Sequence, residues 1–278
     1  MKIGVSSYSF SRYMKHTGAN YLKICDLARE MGFDGIEFID LDLNVQPAES
    51  VPALAAEIRA HCDSLGLPVA AYTVHADFID GTDEVERLKR QVDVAQILGA
   101  PVMRHDVTWR RDIPWREIID RTAANIREVA EYAQSKGVRT CTENHGYVLQ
   151  DANRVEALIL AVNHPNYGWL VDMGNFLCAD EAPEAAVGRL APYAFHAHAK
   201  DFLYKPCTAR DPGRTWFATR AGAYLRGTVI GHGVVPVEAA LRILQRAGFD
   251  DVVAIEFEGV EPCLEAVQLG RENLQAML

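Results

Sequence analysis

Four consecutive predicted strands end in Glu143, Asp172, His198 and Glu256, each inside a run of other polar residues. The runs read Thr142-Glu143-Asn144-His145, Asp172-Met173-Gly174-Asn175, His196-Ala197-His198-Ala199-Lys200-Asp201 and Ile255-Glu256-Phe257-Glu258. Three carboxylates and an imidazole crowded into one sheltered place repel one another unless a cation sits among them. Such a ligand set is oxygen-rich, with one nitrogen and no thiolate. It suits a divalent ion, with Mn²⁺ taken first and Mg²⁺, Co²⁺ or Zn²⁺ as alternates. Open coordination positions would admit the hydroxyl and carbonyl oxygens of a keto-sugar, and the ion would polarise that carbonyl and stabilise an enediolate. Glu143 and Glu256 come from strands separated by two others, so they can flank a substrate. One would take the proton α to the carbonyl and the other return it.

Other candidates surround this set. His196 lies two residues before His198 and points the same way from its strand, which makes it a substrate contact. His75, His105, His145 and Asn175 sit at neighbouring strand ends and are assigned the same role. After the seventh predicted strand, a long connection from Phe202 to Gly233 holds Lys205, Arg210, Arg214, Arg220 and Arg226 among Trp216, Phe217 and Tyr224. Lys205 and Arg214 could grip a phosphate or carboxylate there, and a ring could stack on a sugar face. The competing reading is that an exposed loop simply collects solvated arginines. Trp109, Arg110, Arg111 and Trp115 raise the same question. Isolated His16, His61 and His164 are assigned to packing or surface roles.

The elements that must position these groups follow from a recurrence of glycines. Helical segments end at Gly32, Gly66, Gly99, Gly137 and Gly248, each followed closely by an apolar strand. Glycine suits a helix C-terminus because the next residue often turns left-handed, which disfavours a Cβ. The first four are spaced by 34, 33 and 38 residues, the size of one strand-plus-helix unit. Strands are predicted near 3–8, 35–39, 69–75, 101–105, 138–143, 168–173, 193–199 and 252–257, with three-to-four-spaced apolar helices between them. Alternating strands and helices imply parallel pairing through right-handed crossovers. Eight units of about 35 residues close most economically as one (β/α)8 TIM barrel spanning residues 1–278, whose chemistry lies at the C-terminal strand ends. No G-x-G-x-x-G follows the first strand and no Walker loop is present, so an open nucleotide-binding sheet is the weaker choice.

Composition narrows the partners. Acidic groups outnumber basic ones, 38 to 28, for a formal charge of −10, which repels nucleic acid and anionic lipid. The six cysteines are scattered without a C-x-x-C pair, as expected of reduced thiols in the cytoplasm. The N-terminus runs directly into a strand with no signal-peptide core, and no apolar run reaches 18 residues. The expected partner is therefore a small sugar-derived molecule, not nucleic acid or membrane, and the chain is expected to be a cytoplasmic homo-oligomer.

Glu143, Asp172, the His198-Ala199-Lys200-Asp201 stretch and Ile255-Glu256-Phe257-Glu258 resemble the xylose isomerase-like TIM-barrel superfamily of sugar phosphate isomerases and epimerases. Gly231-His232-Gly233-Val234-Val235-Pro236-Val237 is similar to that group's entry into the last crossover helix. The resemblance implies that Glu143, Asp172, His198 and Glu256 are metal ligands and that both glutamates act as acid and base. It also implies an isomerase or epimerase, or alternatively a dehydratase or lyase such as inosose dehydratase or the C-glycoside deglycosidases. Two positions depart from the ketose 3-epimerases: Asn175 stands where they carry histidine, and Tyr204 where they carry arginine. Endonuclease IV-type repair enzymes share the barrel, and His75, His105 and His232 could supply ligands for their multi-zinc cluster, but the acidic balance opposes DNA. A non-catalytic sugar-binding barrel is the remaining alternative.

Overall fold

A computed structural model describes residues 1–44, 47–81 and 83–278. Eight parallel strands close into a barrel: β1 (Lys2–Ser6), β2 (Gly35–Ile39), β3 (Val69–Val74), β4 (Val102–His105), β5 (Arg139–Glu143), β6 (Tyr167–Asp172), β7 (Ala194–Ala199) and, after three further strands, β11 (Val252–Ile255). β1 pairs with both β2 and β11, which completes the ring. Helices on the outside return the chain between strands. All five punctuating glycines have positive φ, between 61° and 89°, as their helix-terminating role requires.

Strand alternation sorts the side chains. Ala71, Val102, Cys141 and Leu170 fill the barrel interior as a small apolar layer, and the larger core lies between the strands and the helices. Above that inner plug, the same interior-facing rows carry polar residues instead. The interior is thus a dry floor with a polar mouth.

The predicted strands are reproduced within a few residues. The first stops at Ser6 because Ser6 Oγ accepts the Tyr8 N–H and a 3-10 turn follows over Ser7–Phe10. The last is assigned only to Ile255, although Glu256 N–H still bonds Ala199 O at 3.0 Å. Between the sixth and seventh strands a short helix runs over Pro183–Leu190, opened by proline at its first turn.

The larger correction concerns the connection after β7. It is not an irregular loop but a three-stranded antiparallel sheet of β8 (Asp201–Lys205), β9 (Phe217–Ala218) and β10 (Tyr224–Thr228), with β10 in the middle. Its base is pinned by Asp201. That carboxylate accepts N–H bonds from Phe202, Gly231, Gly233 and Val235 at 2.8–3.0 Å. A Cβ on Gly233 would fall 2.2 Å from Asp201 Oδ1 and 2.3 Å from Phe202 O, so only glycine fits this close approach. The Gly-His-Gly sequence and the Asp that follows Lys200 are therefore two halves of one device. The far side of the sheet is clamped by Asp180, which takes hydrogen bonds from Thr219 and Ala221, and by Arg220, which pairs with Asp151.

Candidate metal centre

Glu143, Asp172, His198 and Glu256 meet at the polar mouth. One ligand atom from each lies within 4.8 Å of the others, and all four residues are buried. His198 Nδ1 is 3.6 Å from Glu256 Oε2 and 3.9 Å from both Glu143 Oε1 and Asp172 Oδ2. His198 Nδ1 is buried with no hydrogen-bond partner, while Asp172 Oδ2, also buried, has the Lys200 ammonium 3.1 Å away. Orphaned buried acceptors are costly and rare. A buried imidazole nitrogen without a partner, facing three carboxylates that share one ammonium, is what a cation would satisfy, so the residues present fit a divalent ion.

The ligands are held by their neighbours. Asp172 Oδ1 accepts the N–H groups of Gly174 and Asn175 at 2.9 and 2.8 Å, which leaves Oδ2 for the site. The Asn144 side chain bridges the ends of β5 and β6 by bonding both N–H and C=O of Asp172. Glu143 receives Asn175 Nδ2 on Oε1 at 2.9 Å and Arg104 Nη2 on Oε2 at 2.8 Å. His198 Nε2 lies 2.7 Å from Glu37 Oε2, and His196 Nε2 lies 2.8 Å from the same oxygen. Glu37, His196 and His198 form a second grouping close enough to hold an ion. Its facing atoms, however, already stand at hydrogen-bond distance.

Two buried cations balance the carboxylates. Lys200 Nζ is 2.5 Å from Glu256 Oε2, 3.1 Å from Asp172 Oδ2 and 3.8 Å from Glu258 Oε2. Arg104 joins Glu143 to Asp106. Titration reflects this balance. Burial lifts the Asp172 carboxyl to about 6 against the pull of Lys200, with Glu143 and Glu256 adding to the rise. Burial also opposes the charge on Glu256, but Lys200 and His198 outweigh it and hold the group well below the usual range. His198 is driven the other way: burial disfavours its charge, and Glu37 with Glu256 raises it well above an ordinary histidine.

The expected substrate contacts separate into three groups. Asn175 and His196 are buried beside the ligands and bond to Glu143 and Glu37. His75 and His145 lie at the rim, half-exposed or nearly so, on either side of Asp106: His75 Nδ1 is 3.4 Å from Oδ2 and His145 Nδ1 is 3.3 Å from Oδ1. Trp109 stacks on His75 and meets His145 edge-on, so an aromatic wall stands at this side of the mouth. His105, Lys205 and Arg214 are not brought to the cluster. His105 follows inward-facing Arg104 and so points out of the barrel, against Phe78 and Tyr167. Lys205 is exposed with its ammonium over the Trp216 ring, and Arg214 is exposed near the tip of the added sheet. Among the described residues, His75, His105 and His232 join no grouping fit for a metal.

Glu37, Arg104, Asp106 and Lys200 belong to the site's framework but were not assigned to it from sequence. Each lies at a predicted strand end, so the signal was present. Which of them turned inward was not.

The sequence matches the family described as xylose isomerase-like TIM barrel over residues 25–277. No curated protein matches it significantly. Among solved structures, it is similar to the IOLI protein with a bound zinc atom, at 19% identity and a TM-score of 0.76, covering 100% of this chain and 98% of that one. It is similar to the probable 3-DHS dehydratase AsbF of Bacillus anthracis, at 18% identity and a TM-score of 0.75, covering 99% of each chain. It also resembles an L-ribulose 3-epimerase, at 18% identity and a TM-score of 0.73, covering 100% of this chain and 94% of that one. Identities this low speak to the fold.

Proposed function

The chain belongs to the xylose isomerase-like TIM barrel family, and on that premise we propose that it is a divalent-metal-dependent isomerase or epimerase of a sugar or keto-sugar. The observation that carries this reading is the convergence of Glu143, Asp172, His198 and Glu256 within 4.8 Å, with the buried His198 Nδ1 left without a hydrogen-bond partner. Mn²⁺ is the ion we favour from the oxygen-rich donor set; a zinc-bearing structural relative keeps Zn²⁺ in view.

A cation held there would supply Lewis-acid polarisation of the substrate's carbonyl. The rest falls to the chain's own groups. Glu143, fixed by Asn175 and Arg104, and Glu256, fixed by Lys200, face the space between β5 and β11 from two sides. One glutamate, ionised, would take the proton from the carbon α to the carbonyl, and the other, entering the cycle as the carboxylic acid with a proton from solvent, would deliver that proton to the resulting enediolate. His75, His145 and Trp109 line the rim where the remaining hydroxyls and a sugar face would rest. Ala71, Val102, Cys141 and Leu170 pack together as an apolar layer below the site.

A second reading, a dehydratase or lyase, shares the first proton abstraction. It is favoured by His145, which stands between Asp106 and Arg104 beside Glu143, where a leaving hydroxyl would need a hydrogen-bonding partner. Incubation of the Mn²⁺-loaded enzyme with a panel of ketoses in deuterated water separates the two. Solvent deuterium at the α-carbon in a product of unchanged formula supports isomerisation or epimerisation. Loss of water or an aglycone supports elimination. Conversion to a product of unchanged formula without any solvent deuterium would contradict proton transfer through the two glutamates.

A further inference from the structure

We infer that Glu37 is the positioning residue of the metal centre: it fixes His198 with its Nε2 proton turned away and its Nδ1 lone pair turned into the Glu143–Asp172–Glu256 cluster. The inference rests on the metal-binding reading above and concerns how one of its ligands is prepared.

Glu37 is buried on β2, on the interior of the barrel. A register shift between Ile36 and Glu37 sets it opposite Ala71 of the apolar inner layer. Its two oxygens collect four contacts from three other strands or their ends. Ser6 Oγ and Thr73 Oγ1 each donate to Oε1 at 3.2 Å, and His196 and His198 approach Oε2 through Nε2 at 2.8 and 2.7 Å.

An ionised carboxylate can only accept, so both imidazoles must present N–H at Nε2. In neutral imidazole, the form that ligates a metal, the other nitrogen then carries the lone pair; a proton that the surrounding carboxylates favour there would leave as an ion enters. For His198 that nitrogen is Nδ1, the atom left without a partner and surrounded by three carboxylates at 3.6–3.9 Å. The same contacts explain why Glu37, His196 and His198 do not make a second metal site: protons already fill the space between them. A carboxylate behind a ligating histidine fixes the ring's tautomer and raises its basicity, and its loss commonly weakens metal affinity 10–100-fold.

The test uses zinc alone as probe. Zn²⁺ affinity is measured by competition with a chromogenic chelator for the parent and for Glu37→Gln, which keeps the shape but offers an N–H₂ where both imidazoles need an acceptor. The expected result is a 10–100-fold weaker affinity in the variant. Long-range ¹H–¹⁵N correlation spectra of the zinc-loaded parent should show His198 protonated at Nε2 and ligated through Nδ1. A change confined to packing would not dictate that pattern. Ligation through Nε2, or an affinity in Glu37→Gln within twofold of the parent, would overturn the role of Glu37 while leaving the metal site standing. Failure of the parent to bind zinc would instead bring down the metal reading itself. If Glu37→Gln does not fold, the parent's spectrum still decides.

Discussion

Lys200 Nζ lies 2.5 Å from Glu256 Oε2, inside the group of carboxylates that would otherwise face one another across the barrel mouth. The ammonium also reaches Asp172 and Glu258, so one fixed positive charge serves three acids. Removing one partner of a buried ion pair leaves the other uncompensated and costs about 3–5 kcal/mol. Lys200→Met should therefore lower the melting temperature sharply in the presence of a chelator. Added Mn²⁺ or Zn²⁺ should restore more of the loss than it adds to the parent, because a cation then stands among the stranded acids. Equal metal-induced shifts in both proteins would show that Lys200 does not share in balancing the site.

The two glutamates carry the proposed proton transfer. Glu143→Gln and Glu256→Gln should each lower turnover about 10²–10⁴-fold, the range expected when a positioned acid or base is lost. Far-UV circular dichroism should remain that of the parent, since amides occupy the same volume. Steady-state kinetics on whichever ketose shows α-deuterium exchange is the check. Near-normal turnover in both variants would remove them from the chemistry.

His105 gives a pH dependence that belongs to folding, not to the reaction. Burial outside the barrel, with Arg104 nearby, lowers its pKa to about 4 from an unfolded value of 6.5. Between those values the unfolded chain binds a proton that the folded chain refuses, so stability falls as pH drops from 6.5 toward 4. The loss approaches about 3 kcal/mol at the acid end, at 1.36 kcal/mol for each unit. Denaturant titrations at pH 7 and pH 4.5 should show a smaller difference for His105→Phe than for the parent. An unchanged difference would assign the acid loss to other groups.

Gly233 offers a structural check on the added sheet. Gly233→Ala would drive a methyl into Asp201 Oδ1 and the Phe202 carbonyl. Overpacking of this kind costs about 1–3 kcal/mol, and thermal melts should register it. An alanine variant as stable as the parent would mean that the Asp201 cradle is looser than its four N–H bonds indicate.

The barrel itself was legible because its signals are local. Glycine caps and apolar spacing repeat unit by unit, and each of the eight strands can be read from its own few residues. The four candidate ligands were legible for the same reason, as one polar side chain at each of four successive strand ends. What failed depended on partners far along the chain. β8 pairs with β10 across about twenty residues of turn-rich sequence, and neither strand is apolar enough to stand out. Glu37 meets His198 across 161 positions, a pairing that no local pattern announces. Alternation puts His105 on the opposite side from Arg104, but which of the two faces inward is marked only by the Arg104 pairing with Glu143.

The central claim is that Glu143, Asp172, His198 and Glu256 hold a divalent ion. Equilibrium dialysis against Mn²⁺ and Zn²⁺, followed by elemental analysis, tests it most directly on the parent, Asp172→Asn and His198→Ala. The account predicts one tightly held ion per chain in the parent and its loss in both variants, with the fold intact by circular dichroism. A parent that retains no ion, or variants that retain as much as the parent, would contradict it.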